Sequence, residues 1–112
     1  MSAQITYSTP KTEILTIASG AIAVPASGAL IVNATIDTES AAATDDLTAI
    51  TGGSVGMILI IKSTNAARVP TVKDGGTLFI QADFALDSPY DTLVLQCVAA
   101  DNWIELSRAS NA

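Results

Sequence analysis

Leu93-Val94-Leu95-Gln96-Cys97-Val98, Ala99-Ala100-Asp101-Asn102 and Trp103-Ile104-Glu105-Leu106-Ser107-Arg108 read, in that order, as strand, turn and strand. Both runs alternate apolar and polar residues around a short turn, so they pair as an antiparallel hairpin. Centring the pairing on the turn sets Leu95 opposite Leu106 and Cys97 opposite Ile104 on one face. Gln96 then faces Glu105, and Val98 faces Trp103, on the other. A slip by one residue would turn Leu106 and Ile104 outward and bury Glu105, so the apolar face is expected to hold the register.

Upstream, Leu78 to Asp87 predicts one half-buried strand, with Leu78, Ile80, Ala82, Phe84 and Leu86 inward and Phe79, Gln81, Asp83, Ala85 and Asp87 outward. Phe79 is the aromatic on the polar side, which marks it for contact with another subunit. Gly56-Met57-Ile58-Leu59-Ile60-Ile61 is apolar on both faces. Such a strand is covered twice, by its own core and by something outside. Ile14–Ile17, Ala21–Val24, Ala29–Ile36 and Arg68–Lys73 supply further strands, punctuated by Ser19-Gly20, Pro25 to Gly28, Ser63 to Ala67 and Asp74-Gly75-Gly76. Pro70 cannot donate to a ladder, so its strand is expected to lie at an edge or to pair irregularly there. Leu47 and Ile50, three apart before Gly52-Gly53, predict a single helical turn. Short strands with a turn every eight to twelve residues or so predict an all-β domain, an antiparallel sandwich or barrel of jelly-roll type. Residues 1–12 read as a polar arm and 13–112 as the domain.

One domain is what 112 residues allow, and with 4 % aromatic residues its core is thin enough to favour burial against further copies. The net charge of −6 and the scatter of Lys11, Lys62, Arg68, Lys73 and Arg108 argue against nucleic acid and anionic membranes as partners, since either needs a basic patch. Without histidine and with one cysteine, the chain has no zinc cluster and no intrachain disulfide. Cys97 reads as a small buried hydrophobe. Ile14 to Ile36 is uncharged, but Gly20, Pro25 and Gly28 break it into strands, and Glu13 offsets Lys11 ahead of it. A soluble, unprocessed chain is expected. The carboxylates Asp37, Glu39, Asp45, Asp46, Asp74, Asp83, Asp87, Asp91, Asp101 and Glu105 fall at turns or on polar faces, where solvated acids are the ordinary reading. Asp45, Asp46 and the Asp87 to Asp91 corner offer hard oxygen ligands for calcium, without EF-hand spacing. No catalytic residue, metal or cofactor is assigned, and the chain is not expected to be an enzyme.

Asp45 to Gly53, Gly56 to Ile61, Val72-Lys73-Asp74-Gly75, Asp83 to Asp87, Asp91 to Leu95 and Asn102 to Arg108, in that order and spacing, resemble small all-β domains of tailed-bacteriophage virion proteins. The resemblance covers about the last seventy residues. Thr77 stands where a Gly-Asn pair is usual, and Ala99 to Asn102 replaces a turn containing glycine. Such domains serve as capsid decoration (cement), head-fibre and tail-fibre proteins, often as trimers, and no catalytic residues carry over. The resemblance implies a homo-oligomer, a trimer ahead of a dimer, on the virion surface after synthesis in the host cytoplasm. Its partner would be the major capsid protein, and the alternative is a head-fibre or tail-fibre tip that binds a host receptor.

The residues expected to make oligomer or capsid contacts are Tyr7, Met57, Ile58, Ile60, Phe79 and Trp103. Trp103 has two open readings, a cap on a second core layer or the centre of a subunit contact.

Overall fold

The computed structural model describes residues 11–25 and 29–111. Its strands are β1 (Lys11–Thr16), β2 (Ala21–Ala23), β3 (Ile31–Asp37), β4 (Thr44–Leu47), β5 (Ala49–Thr51), β6 (Ile58–Ser63), β7 (Val69–Val72), β8 (Leu78–Phe79), β9 (Phe84–Ala85), β10 (Thr92–Ala99) and β11 (Asn102–Ala109). The protein is all-β. Six strands form one sheet in the order β1-β3-β6-β10-β11-β8, beside a pair β2-β5 and a three-stranded sheet β4-β7-β9.

The first two thirds of the described chain wind as a coil. β3 lies parallel to β1 and to β6, β5 parallel to β2, and β7 parallel to β4, so successive turns of chain revisit the same three sides. Buried residues stack on buried residues: Val32 on Leu59, Ala34 on Ile61, Ile22 on Ile50 and Leu47 on Val72. The turn from Ile31 to its partner Ile58 takes 27 residues, and that from Lys11 to Val32 takes 21. Among the described residues, the shorter first turn has no strand corresponding to β4. β10 then joins the sheet antiparallel to β6, β11 pairs antiparallel to β10, and β8 lies parallel to β11 at the far edge.

Strand spacing predicted an antiparallel sandwich or barrel; the β character is as expected, whereas the pairing is mixed and stacked like a solenoid. Alternation of burial is the same for a strand in either arrangement. What differs is the connection: β3, β4 and β5 follow one another without pairing, each handing its hydrogen bonds to the turn above or below. β1 also begins at Lys11, so Lys11 and Thr12 belong to the sheet and not to the arm. The rest of that arm, residues 1–10, lies outside the described residues.

Leu47 and Ile50 are buried without any helical turn. The chain bends at exposed Thr48, whose N–H donates to Gly20 O at 2.7 Å and whose hydroxyl donates to the same oxygen at 3.1 Å. Inward side chains on either side of a corner fall three apart, which imitates a helical spacing. Gly20 has φ +81°, and a Cβ there would stand 2.8 Å from Thr48 Oγ1. Pro70 lies in a central strand, not an edge one. Its carbonyl accepts Leu86 N–H at 2.9 Å, and the β9 ladder stops at Ala85, beside the position where proline has no N–H to offer.

The C-terminal hairpin departs from the expected register. Thr92 to Val94 pair with Ala109 to Ser107 as the turn-centred register requires, but a bulge then sets Leu95 opposite Glu105, Gln96 opposite Ile104 and Cys97 opposite Trp103. Trp103 is fully buried, and Leu106 is 49 % exposed. The slip does turn Leu106 outward and enclose Glu105. It is offset because the indole, the largest side chain in the protein, enters the core and Glu105 finds partners there. Trp103 Nε1 donates to Ile50 O at 3.2 Å, and Gly53 lies so close that a Cβ would fall 2.3 Å from Cζ2. At the tip, Asp101 takes φ +59° in place of glycine, a conformation that aspartate tolerates better than most residues. Its carboxylate accepts Gly52 N–H at 3.2 Å.

Leu78 to Asp87 keeps its predicted alternation, with Leu78, Ile80, Phe84 and Leu86 buried, but it is two strands in two sheets. Ala82 is exposed at the bend between them.

Trp103→Ala is therefore expected to cost about 3–5 kcal/mol in urea unfolding, and Leu106→Ala less than about 1 kcal/mol. The reverse order would restore the turn-centred register throughout the hairpin.

Candidate interaction face

One face of the six-stranded sheet packs on the core, and the other looks outward. Strand alternation fixes which residues it shows: Ile31, Asn33 and Thr35 from β3, Ile58, Ile60 and Lys62 from β6, and Val94 and Gln96 from β10. The register lines them up across strands. One row runs Ile31, Ile58, Gln96, Ile104, Phe79. The next runs Thr12, Asn33, Ile60, Val94, Ser107. Neither row holds a charge; Lys62 stands in the third, beside Thr35 and Ile14.

The aliphatic members of the first row are half-buried by one another, whereas Phe79 at its end is 55 % exposed. Gln96, the one polar member, lies along the sheet with its amide donating to Gly56 O at 3.4 Å. Thr12, Asn33, Ala34, Thr35, Ile60 and Lys62 surround a shallow hollow of about 270 Å³ beside these rows. Such an arrangement offers no reacting group. It offers a flat surface whose apolar strip would leave water on contact with a similar surface.

Of the residues singled out from the sequence, Ile58, Ile60 and Phe79 come together on this face. Met57 and Trp103 do not, because both are buried in the chain's own core, Trp103 on the same face as Leu95 and Cys97 and not on a second layer. Tyr7 lies outside the described residues. Ile31, Val94 and Ile104 also line the face and were not singled out. Ile31 and Val94 were readable as the outward partners of Asn33 and Gln96 in their strands, whereas Ile104 was assigned inward by the unbulged register.

The carboxylates gather elsewhere, mostly as acceptors for backbone N–H groups at corners. Glu39 accepts Ser19 N–H, Asp45 accepts Glu39 N–H, Asp74 accepts Ile80 N–H and Asp83 accepts Asp74 N–H, all within 3.3 Å. Asp37 pairs with Arg68 at 3.0 Å and Asp83 with Lys73 at 2.8 Å. Lys73 holds the Asp83 carboxyl below its ordinary range, with both groups solvent-exposed. Glu105 differs in being enclosed, with a side chain 3 % exposed. Arg108 meets it at 2.7 and 2.9 Å while lying over the Phe84 ring, 4.7 Å from its centre. Arg108, with Gln81 N–H as a further donor, holds the Glu105 carboxyl below its ordinary value against the opposing effect of burial.

Comparison with known proteins finds no matching family model, no matching curated protein and no matching solved structure. No helix among the described residues is long and apolar enough to cross a membrane.

A carboxylate with a lowered pKa in the fold contributes stability above its ordinary pKa, 4.5 here, and that contribution is lost as pH falls through the folded value. Glu105→Gln is expected to lower stability at pH 7 by about 1–3 kcal/mol. The gap to wild type should narrow as pH falls below 4.5 in urea titrations. A gap independent of pH would mean that Glu105 acts through packing alone.

Proposed function

We propose that this protein is a structural component of a tailed-phage virion, a decoration (cement) protein that self-associates through the outer face of its six-stranded sheet and stabilises the shell from the head exterior. The single observation that carries self-association is the uncharged row Ile31–Ile58–Gln96–Ile104–Phe79. It runs across five of the six strands, on the side of the sheet away from the core. The resemblance of the last seventy residues to phage virion domains supports the setting.

The dimensions are suitable. The six strands hold 37 residues in all, and at about 4.8 Å between strands and about 3.4 Å per residue they present roughly 600 Å² of projected sheet, somewhat below the roughly 800 Å² per partner of a standard interface. Two such faces packed about 10 Å apart would create between copies the sandwich that the single chain lacks. Around a three-fold axis each face would instead meet two others, and this trimer is the favoured assembly. Ile58, Ile60 and Phe79 are the contact residues, joined by Ile31, Val94 and Ile104.

The runner-up is the tip of a head or tail fibre that binds a host receptor. The parallel stacking of β1-β3-β6, β2-β5 and β4-β7 favours it, because a coil of this kind can continue into further turns of a shaft, and the antiparallel β10-β11 pair suits an end.

Light scattering at micromolar concentration is expected to give three chain masses, and Ile58→Lys to give one with the far-ultraviolet spectrum unchanged. A wild-type monomer, both alone and on shells, would overturn self-association. The assembled protein is expected to co-sediment with purified heads, and co-sedimentation with tails or binding to host cells in place of heads would transfer the assignment to the fibre tip.

A further inference from the structure

Among the described residues no strand lies beyond β1, so one side of that strand has its backbone groups to offer. The parallel register with β3, and the bond from Ile17 N–H to Asp37 O at 2.9 Å just past its end, fix which groups these are. Glu13 and Leu15 turn their N–H and C=O toward β3, and alternate residues of a strand turn theirs the other way. Thr12, Ile14 and Thr16 therefore present N–H and C=O at the open edge. Their side chains lie on the outer face of the sheet, where Ile14 is 73 % exposed. The other edge strands are poorer templates: β2 and β5 have three residues each, β8 and β9 two, and β4 carries Asp45 and Asp46.

We propose that the open edge of β1 is a pairing site for β1 of a second copy, joined antiparallel across a two-fold axis centred on Ile14. The register follows from the groups on offer. Setting Ile14 opposite the second copy's Ile14 sets Thr12 opposite its Thr16 and Thr16 opposite its Thr12, so all three residues form pairs that exchange both N–H···O bonds. Sliding one copy by two residues in one direction would bring Glu13 against Glu13 and give Thr16 a proline, Pro10, that has no N–H. Sliding it in the other would give Thr12 the residue Ala18, whose N–H already donates to Ala21 O at 2.9 Å. In the centred register Ile14 meets Ile14 and Thr12 meets Thr16, pairs of β-branched side chains that suit neighbouring strands. Ile14 stands beside Thr35 and Lys62 on the outer face, so that face continues from one copy into the next. Glu13, half-buried on the core side, lies opposite the second copy's Leu15, with the two Glu13 carboxylates diagonal across the axis. Like charges there, and a contact of one strand pair, well below the roughly 1,200 Å² of total area at which stable interfaces begin, make the pairing weak. It becomes effective where copies are already held side by side. Because it is made by backbone groups, it competes for no side chain of the row Ile31–Ile58–Gln96–Ile104–Phe79.

The test uses Ile58→Lys, in which the outer-face contact is expected to be broken, and follows its mass by light scattering from about 10 µM to about 1 mM. The mass is expected to rise from one chain toward two. Ile14→Pro in that background should hold it at one chain throughout, because proline removes an N–H that the edge strand of the monomer does not use. Ile14→Ala, which keeps the N–H, should keep the rise. Should the proline variant fail to fold, amide hydrogen exchange reads the same contact. The N–H groups of Thr12, Ile14 and Thr16 should exchange about two- to threefold more slowly at the upper concentration, and those of Glu13 and Leu15, bonded to β3, should not change. A mass of one chain at about 1 mM, or an equal rise in a folded Ile14→Pro, would overturn the pairing. Edge amides already protected in the dilute monomer would give the edge to another segment of the same chain and also overturn it. A wild type that is monomeric at micromolar concentration yet rises toward two chains by way of these amides would support the edge and overturn the outer-face contact alone.

Discussion

Burial of Trp103 is the constraint on which the rest of the structure depends. The indole reaches from β11 to β5 and the loop after it, where its N–H meets Ile50 O within β5 and its ring occupies the space that a side chain at Gly53 would take. That contact ties the antiparallel end of the molecule to the parallel coil. It also requires the bulge opposite Leu95, since without it Trp103 would point away from the core. Everything unusual about the hairpin follows: Leu106 turns outward, Glu105 turns in, and Arg108 covers Glu105 while lying on Phe84. Burying one indole at the cost of enclosing one carboxylate is favourable only because that carboxylate is fully paired.

The strands were legible because period-two alternation survives any pairing scheme. Val32, Ala34 and Ile36 point inward, and Ile31, Asn33 and Thr35 outward, whether their neighbours run parallel or antiparallel. Pairing partners were not legible for the same reason. Nothing in β3 announces that it will lie beside β1 and β6 and not beside β4. The face was half legible: Ile58 and Ile60 declared themselves by making β6 apolar on both sides, and Phe79 by standing among polar neighbours. Met57 and Trp103 were misplaced, the first because both faces of its strand looked alike. The second was misplaced because a one-residue bulge is invisible in a sequence until the side chain that demands it is weighed against the pairs it breaks. Leu106 and Ile104 together looked heavier than Trp103, but only Trp103 has a cavity and a carbonyl waiting for it.

A coil of parallel strands has corners where hairpins would have turns, and corners leave backbone N–H groups facing outward. Here the carboxylates of Glu39, Asp45, Asp74, Asp83 and Asp101 accept them. The acidity of the chain is thus largely the chemistry of its corners. The consequence for association is spatial. With the acids committed to corners, the two central rows of the outer sheet remain uncharged, so copies carrying a net charge of −6 each can approach face to face without bringing carboxylates into register. In the proposed assembly, repulsion between copies would act mainly at the rim, where water and salt screen it, while the apolar row at the centre would be the part that leaves water. The device that completes the backbone hydrogen bonding of the monomer is therefore also what keeps the two central rows of its broad face free of charge.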